Sequence, residues 1–185
     1  MFLHQVHVPA KWLMLSLAGA VAMCLLGPLV LHVEGQLPIT LQSLVIMLWS
    51  IFWGWRIGVS ATLLYLTAGA MGLPVFANGA GGLHHFFEAT AGFLFAFPIA
   101  ALVVGVLAEH VRRVQFLASA GLLFLGQLVL LMLGLPYQIA AKQSDTALLD
   151  ALVGLLPNVL MKVALGTMVV VLVGRLASRQ GAPTS

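Results

Sequence analysis

Charge is scarce in this chain. Of its 185 residues only 7% are charged, with eight Lys or Arg against five Asp or Glu, while 62% are hydrophobic. A soluble domain carries about a quarter charged residues. So little polar surface cannot cover a water-soluble globule, and most of the exterior is therefore expected to face lipid. The single cysteine, Cys24, excludes an internal disulfide and a multi-cysteine metal site. No G-x-x-x-x-G-K-[ST] phosphate loop is present, so the chain holds no nucleotide-driven motor of that type. The net charge of +3 does not amount to a nucleic-acid-binding surface, because the few basic residues are scattered between apolar runs. The length suits one membrane domain, and there is no internal repeat.

What is abundant is long apolar sequence. A membrane-spanning helix needs about 20 predominantly apolar residues, and six stretches qualify or come close. They are 12–31, 41–55, 57–73, 89–108, 114–135 and 148–174. The run after Lys11 is longer than the usual apolar region of a signal peptide and lacks a clear small-x-small cleavage site. Met23 stands where a lipoprotein site needs a small residue, so a retained first helix is expected. The whole chain reads as an all-α integral membrane protein of six transmembrane helices.

Basic residues set the orientation, since cytoplasmic loops carry their excess. With the N-terminus inside, Lys11, Arg56, Arg112, Arg113, Arg175 and Arg179 fall on the cytoplasmic side and Lys142 outside. Both termini are then cytoplasmic. The outer loops, 32–40, 72–88 and 136–147, are the polar, glycine- and proline-containing ones.

Lys162 fits neither side. It lies in "LLPNVLMKVALG", where an ionisable group costs about 2.5–3.5 kcal/mol to insert and normally faces a bundle interior or a wet cavity. Asn158 precedes it by one turn on the same face, and Pro157 removes a backbone donor nearby. Together they make a polar patch at mid-membrane depth, expected to line a ligand cavity. Asn78, among the glycines of "FANGAGG", offers a donor and an acceptor. Thr40 and Gln42 open the second helix, where Thr40 serves either as a cap or as a ligand contact. His84, His85 and Glu88 in "HHFFE" have a spacing that metal sites use, but no fourth ligand is evident, so no metal is assigned. His85 and Glu88 are instead expected to line the pocket. Trp49, Trp53 and Trp55 read as interfacial anchors. Ala18 and Ala22, four residues apart beside Gly19 and Ala20, allow another helix to approach closely.

Four stretches, in this order, resemble the BioY family: "LPITLQSLVIML", "LLYLTAGAMGLPVFANGAGGL", "TAGFLFAFPIAALVVGVLAE" and "LLPNVLMKVALG". BioY proteins are the substrate-binding (S) components, specific for biotin, of energy-coupling-factor (ECF) vitamin transporters. The resemblance implies the S-component fold and biotin bound beneath the outer loops, with Thr40, Gln42, Asn78 and Lys162 at the family's motif positions. It also implies a transmembrane coupling subunit docking on Ala18 and Ala22, ATPase subunits behind it, and residence in a bacterial or archaeal cytoplasmic membrane. Biotin is then cargo and no cofactor is needed. Asn158 with Lys162 would meet the ureido ring or the carboxylate, and Phe93 with Phe86 and Phe87 would cover the bicycle.

This chain departs from the family at Ala89–Phe93, where P-T-G-G-Y is usual, and at Asn158, where an acid is usual. Those changes make a related solute, such as dethiobiotin, a biotin precursor or another vitamin, the alternative cargo. An intramembrane metal-dependent enzyme built on His84, His85 and Glu88 is a further alternative.

Overall fold

The computed structural model of the protein describes residues 9–31, 39–111, 116–142 and 147–180. The expected loop residues 32–38 and 143–146, Arg112, Arg113 and the helix start at Val114 lie outside the described residues, as do the side chains of Lys142 and Arg179. Among the described residues six α-helices run in chain order: α1 (Pro9–Leu26), α2 (Gln42–Trp53), α3 (Trp55–Ala70), α4 (Ala91–His110), α5 (Phe116–Lys142) and α6 (Ala147–Gln180). One antiparallel bridge joins β1 (Val30–Leu31) to β2 (Ile39–Thr40), with Val30 opposite Thr40.

The first helix is shorter than its apolar run because Gly27 and Pro28 stop it. The Gly27 amide closes the last turn on the Met23 carbonyl at 2.7 Å, and the chain after Pro28 turns into the β bridge instead of extending α1. The second and third helices form a tight hairpin about Gly54, whose φ of 82° favours glycine. Gly58 lies directly against Ser50, and Gln42 reaches Tyr65, so the two helices fold back on each other. In the opposite sense, α5 outlasts the expected boundary at Leu135. Pro136 sits on an exposed face and forfeits only one intrahelical hydrogen bond, and the helix continues to Lys142.

The centre of the bundle is α4, which packs on α2, α3 and α5. Its inward stripe is made of small residues: Gly92, Ala96, Ala100, Val104 and Ala108 are all buried. A Cβ at Gly105 would stand 2.4 Å from the Trp55 α-carbon. Small residues bring backbones together and maximise dispersion contact where no hydrophobic driving force separates protein from lipid.

Among the described residues, three helices are long and apolar enough to cross a membrane by length and composition: α4, Phe116–Ala141 of α5, and Leu156–Leu176 of α6. At about 1.5 Å per residue, α2 spans only about 18 Å of an apolar layer about 30 Å thick. Large apolar side chains point outward on α1, α5 and α6, among them Met14, Leu25, Leu117, Met132, Leu160 and Met168. Such a surface would drive a soluble monomer to aggregate; here it is the lipid-facing belt of a membrane protein.

Candidate ligand-binding site

The helices alternate in direction, so one end of the bundle collects the C-terminal ends of α1, α3 and α5 and the N-terminal ends of α2, α4 and α6. A cavity of about 420 Å³ lies there, inside the range of about 300–1,000 Å³ usual for small-molecule sites. Lys11, Arg56 and Arg175 belong to the opposite end.

Lys162 of α6 is buried in the cavity wall, only 7% exposed. Its ammonium donates to Ser43 Oγ of α2 at 3.0 Å, and among the described residues it makes no ion pair. Glu88 is engaged by His84 and His85 instead. A charge in so dry a position needs acceptors, and one hydroxyl leaves two of its three donors for other oxygens. Asn158, also buried, lies one turn away on the same wall.

The α2 side contributes Gln42 and Thr40. Gln42 Nε2 donates to the Tyr65 hydroxyl at 2.6 Å, which leaves its carbonyl for other partners. Thr40 does not cap α2: Leu41 is the cap residue and no side-chain cap bond forms. Thr40 instead sits in the β bridge on the cavity wall.

The loop between α3 and α4 closes the cavity over two 3₁₀ turns, Ala77–Gly79 and Leu83–Phe86. Asn78 takes a left-handed conformation, φ 60°, which asparagine tolerates better than most residues. Its amide donates to the Pro28 carbonyl at 3.2 Å, tying the loop to the end of α1. Phe76 anchors the same loop: its ring occupies the space a side chain at Gly69 would fill, with a Cβ there 2.1 Å from Cζ. At the rim, Glu88 accepts from His85 Nδ1 at 2.6 Å and lies 3.8 Å from His84 Nε2.

All eight residues expected to meet a ligand, Thr40, Gln42, Asn78, His85, Glu88, Phe93, Asn158 and Lys162, come together on this one cavity. His84 does not line it. Phe93 reaches the wall by lying over Gly134 of α5. The expectation for Phe86 and Phe87 is corrected. Phe86 packs edge-on against Phe76 and Phe95, outside the lining, and Phe87 is 77% exposed. In their place Phe76 and Phe97 supply the aromatic wall.

Sequence reasoning missed Ser43, Gln127 and Gln138, which also line the cavity. Gln127 is buried, and Nε2 donates to the Met47 thioether at 3.7 Å, a weak acceptor. The signal that found Lys162, one polar residue in an apolar run, is equally present in "LLFLGQLVLL".

Ala18 and Ala22 lie apart from the cavity. The bundle is met by Ser16, Gly19, Ala20 and Met23, with the Trp49 ring against Gly19 and its Nε1 donating to the Leu15 carbonyl at 3.1 Å. Trp49 is thus a tie between α1 and α2 and not only an interfacial anchor. Ala18 is exposed and Ala22 half-buried, beside the outward Met14, Leu17, Val21 and Leu25.

Comparison with known proteins gives a consistent picture. A solved structure, the S-component for biotin from an ECF-type ABC transporter, superposes with a TM-score of 0.77 over 94% of this chain and 93% of that one, at 22% identity. The two share the fold. A biotin transporter BioY of Rhodobacter capsulatus is 48% identical over 86 residues, 46% of this chain and 45% of the relative. Another, from Thermotoga maritima, is 39% identical over 92 residues, 50% of this chain and 54% of the relative. The chain thus spans about half the length of these two relatives. The BioY family profile matches residues 4–181, nearly the whole sequence, and the chain belongs to the BioY family.

Proposed function

We propose that this protein is the membrane-embedded, biotin-binding component of an ECF-type uptake system. Family membership supports a transport role in place of an enzymatic one. The observation that carries the ligand reading is the buried ammonium of Lys162 on a largely apolar cavity wall, beside Asn158 and Ser43. Biotin pairs an apolar bicycle with a ureido group, which both donates and accepts, and with a carboxylate. Phe76, Phe93, Phe97 and Val159 match the apolar part, and Asn78, Asn158, Gln42 and Gln127 match the ureido group. Lys162 supplies a positively charged donor for one of the ligand's oxygens. Thr40 lies beside this set, and His85 with Glu88 forms its rim. Biotin is cargo, and no cofactor takes part.

The basic residues at the end away from the cavity support an orientation with both termini in the cytoplasm and the cavity outside, in a bacterial or archaeal cytoplasmic membrane. Energy then comes from a coupling subunit and its ATPases, docking on the outward face of α1 around Ala18 and Ala22. A second reading keeps the site and changes the solute to dethiobiotin or another close relative. It is favoured by the amide at Asn158, which stands where an acid would have paired with Lys162.

The test is equilibrium binding of labelled biotin to detergent-purified protein, beside Lys162→Ala. Tight binding that the variant loses supports the reading. Absence of binding by folded wild-type protein sinks biotin as the cargo, and a panel of precursors then decides the second reading.

A further inference from the structure

We propose that His84, His85 and Glu88 form a binding site for a zinc-class divalent cation at the mouth of the cavity, a capacity beyond the carriage of an organic solute. One ligand atom from each of the three residues lies within 4.8 Å of the others. The Glu88 carboxylate is divided between the two rings, Oε2 at 2.6 Å from His85 Nδ1 and Oε1 at 3.8 Å from His84 Nε2. Two ligands on a tetrahedral ion, each at about 2.0–2.1 Å, stand about 3.3 Å apart. The two gaps, each to a different carboxylate oxygen, lie on either side of that spacing, and a shift of the exposed Glu88 side chain would bring one oxygen within reach of an ion shared with both rings.

The two imidazoles pack on each other, with ring centroids 4.1 Å apart. His85 stands edge-on to the buried Phe76 ring, with centroids 6.0 Å apart. His84 packs over Gly82, where a Cβ would come within 2.7 Å of its Nδ1. Glu88 is fixed from behind by the turn in which its carbonyl accepts from the Ala91 amide at 2.9 Å. Two imidazoles and a carboxylate select zinc, cobalt, nickel or copper over calcium and magnesium, which prefer all-oxygen sites. Three protein ligands leave a coordination position open. Because His85 and Glu88 also line the cavity, a bound ion turns the rim from net negative to net positive. The benefit of that change to an anionic solute rests on the biotin reading; the binding of the ion does not.

The experiment uses the full chain without a polyhistidine tag, stripped with a chelator, then titrated with Zn²⁺ by calorimetry and with Co²⁺ by visible absorption. One equivalent is expected to bind, with Co²⁺ giving the intense bands of a four-coordinate site. Glu88→Gln and His84→Ala, both at exposed positions, are each expected to weaken binding at least about tenfold with unchanged unfolding temperatures. His110→Ala, at the far end of α4, is expected to leave it unaltered. No stoichiometric site in the wild type, or undiminished binding by a His84→Ala/His85→Ala double variant, overturns the proposal.

Discussion

Gln42 and Tyr65 are joined by a 2.6 Å hydrogen bond from the amide to the phenol, and the phenol hydroxyl in turn donates a hydrogen bond to the Val75 carbonyl at 2.9 Å. This relay runs from the first turn of α2 through the wholly buried Tyr65 of α3 to the loop that carries Asn78. It is how a loop with four glycines keeps a fixed position over the cavity. Tyr65→Phe leaves the Val75 carbonyl and the Gln42 amide without their partner. A buried polar group left unsatisfied costs about 1–3 kcal/mol. We expect a lower unfolding temperature in detergent, and faster release of labelled biotin because the loop is less firmly closed. Unchanged stability together with unchanged release would remove the relay from the account of the pocket.

Lys162 sets stability against binding. Its ammonium is desolvated and has one hydroxyl partner among the described residues. Lys162→Met keeps the apolar stem and removes the charge. Replacing buried charge by a well-packed apolar group is often neutral or stabilising by about 1–4 kcal/mol, so a higher unfolding temperature is expected. A hydrogen bond to a charged group contributes about 1.5–3 kcal/mol, so ligand affinity should fall about 10- to 150-fold. Weaker binding with lowered stability would instead mark Lys162 as a structural residue.

The helices were legible because bilayer thickness demands long apolar runs, and most of the site because polar groups are expensive there. Lys162 and Asn158 announce themselves against their neighbours. The end of α1 was less legible: the apolar run continues past Gly27 and Pro28, and only the β bridge explains where Val30 goes. Pro136 misled in the opposite direction, since a proline on an exposed face does not stop a helix whose other bonds are intact. Phe86 and Phe87 could not be sorted from Phe76 and Phe97 by composition, because the contacts that sort them, such as Phe76 against Gly69, are tertiary. Thr40 had two roles open to it, and its place in the strand pairing with Val30, ahead of the Leu41 cap, excludes the cap.

Gln127 offers a clean test of a residue that the apolar pattern hid. Its amide gives up only a weak thioether contact when removed, so Gln127→Leu is expected to leave the unfolding temperature unchanged or slightly raised. Loss of one neutral hydrogen bond to the ligand, about 0.5–1.5 kcal/mol, predicts an affinity roughly 2- to 13-fold lower. Isothermal titration on both proteins reads the two effects together. A stabilised variant with wild-type affinity would place Gln127 on the wall without a part in recognition.

Substitutions on the outward face of α1, the proposed docking surface, would separate carriage from energised uptake. Ala18 is exposed, and the small pair Ala18 and Ala22 sits about a quarter-turn around the helix from Gly19 and Met23, which meet the bundle. Ala18→Leu/Ala22→Leu adds bulk at Ala18 where it is exposed among the described residues, so folding and labelled-biotin binding in detergent should be close to wild type. Close approach of a partner helix depends on small side chains, and two leucines hold it off. Uptake by cells expressing the variant with the coupling and ATPase subunits should therefore fall at least about tenfold, while the variant purifies with less of the coupling subunit. Full uptake by the double variant would move the docking surface off this face. Loss of binding along with uptake would show instead that Ala22, the half-buried member of the pair, serves the bundle and not the partner.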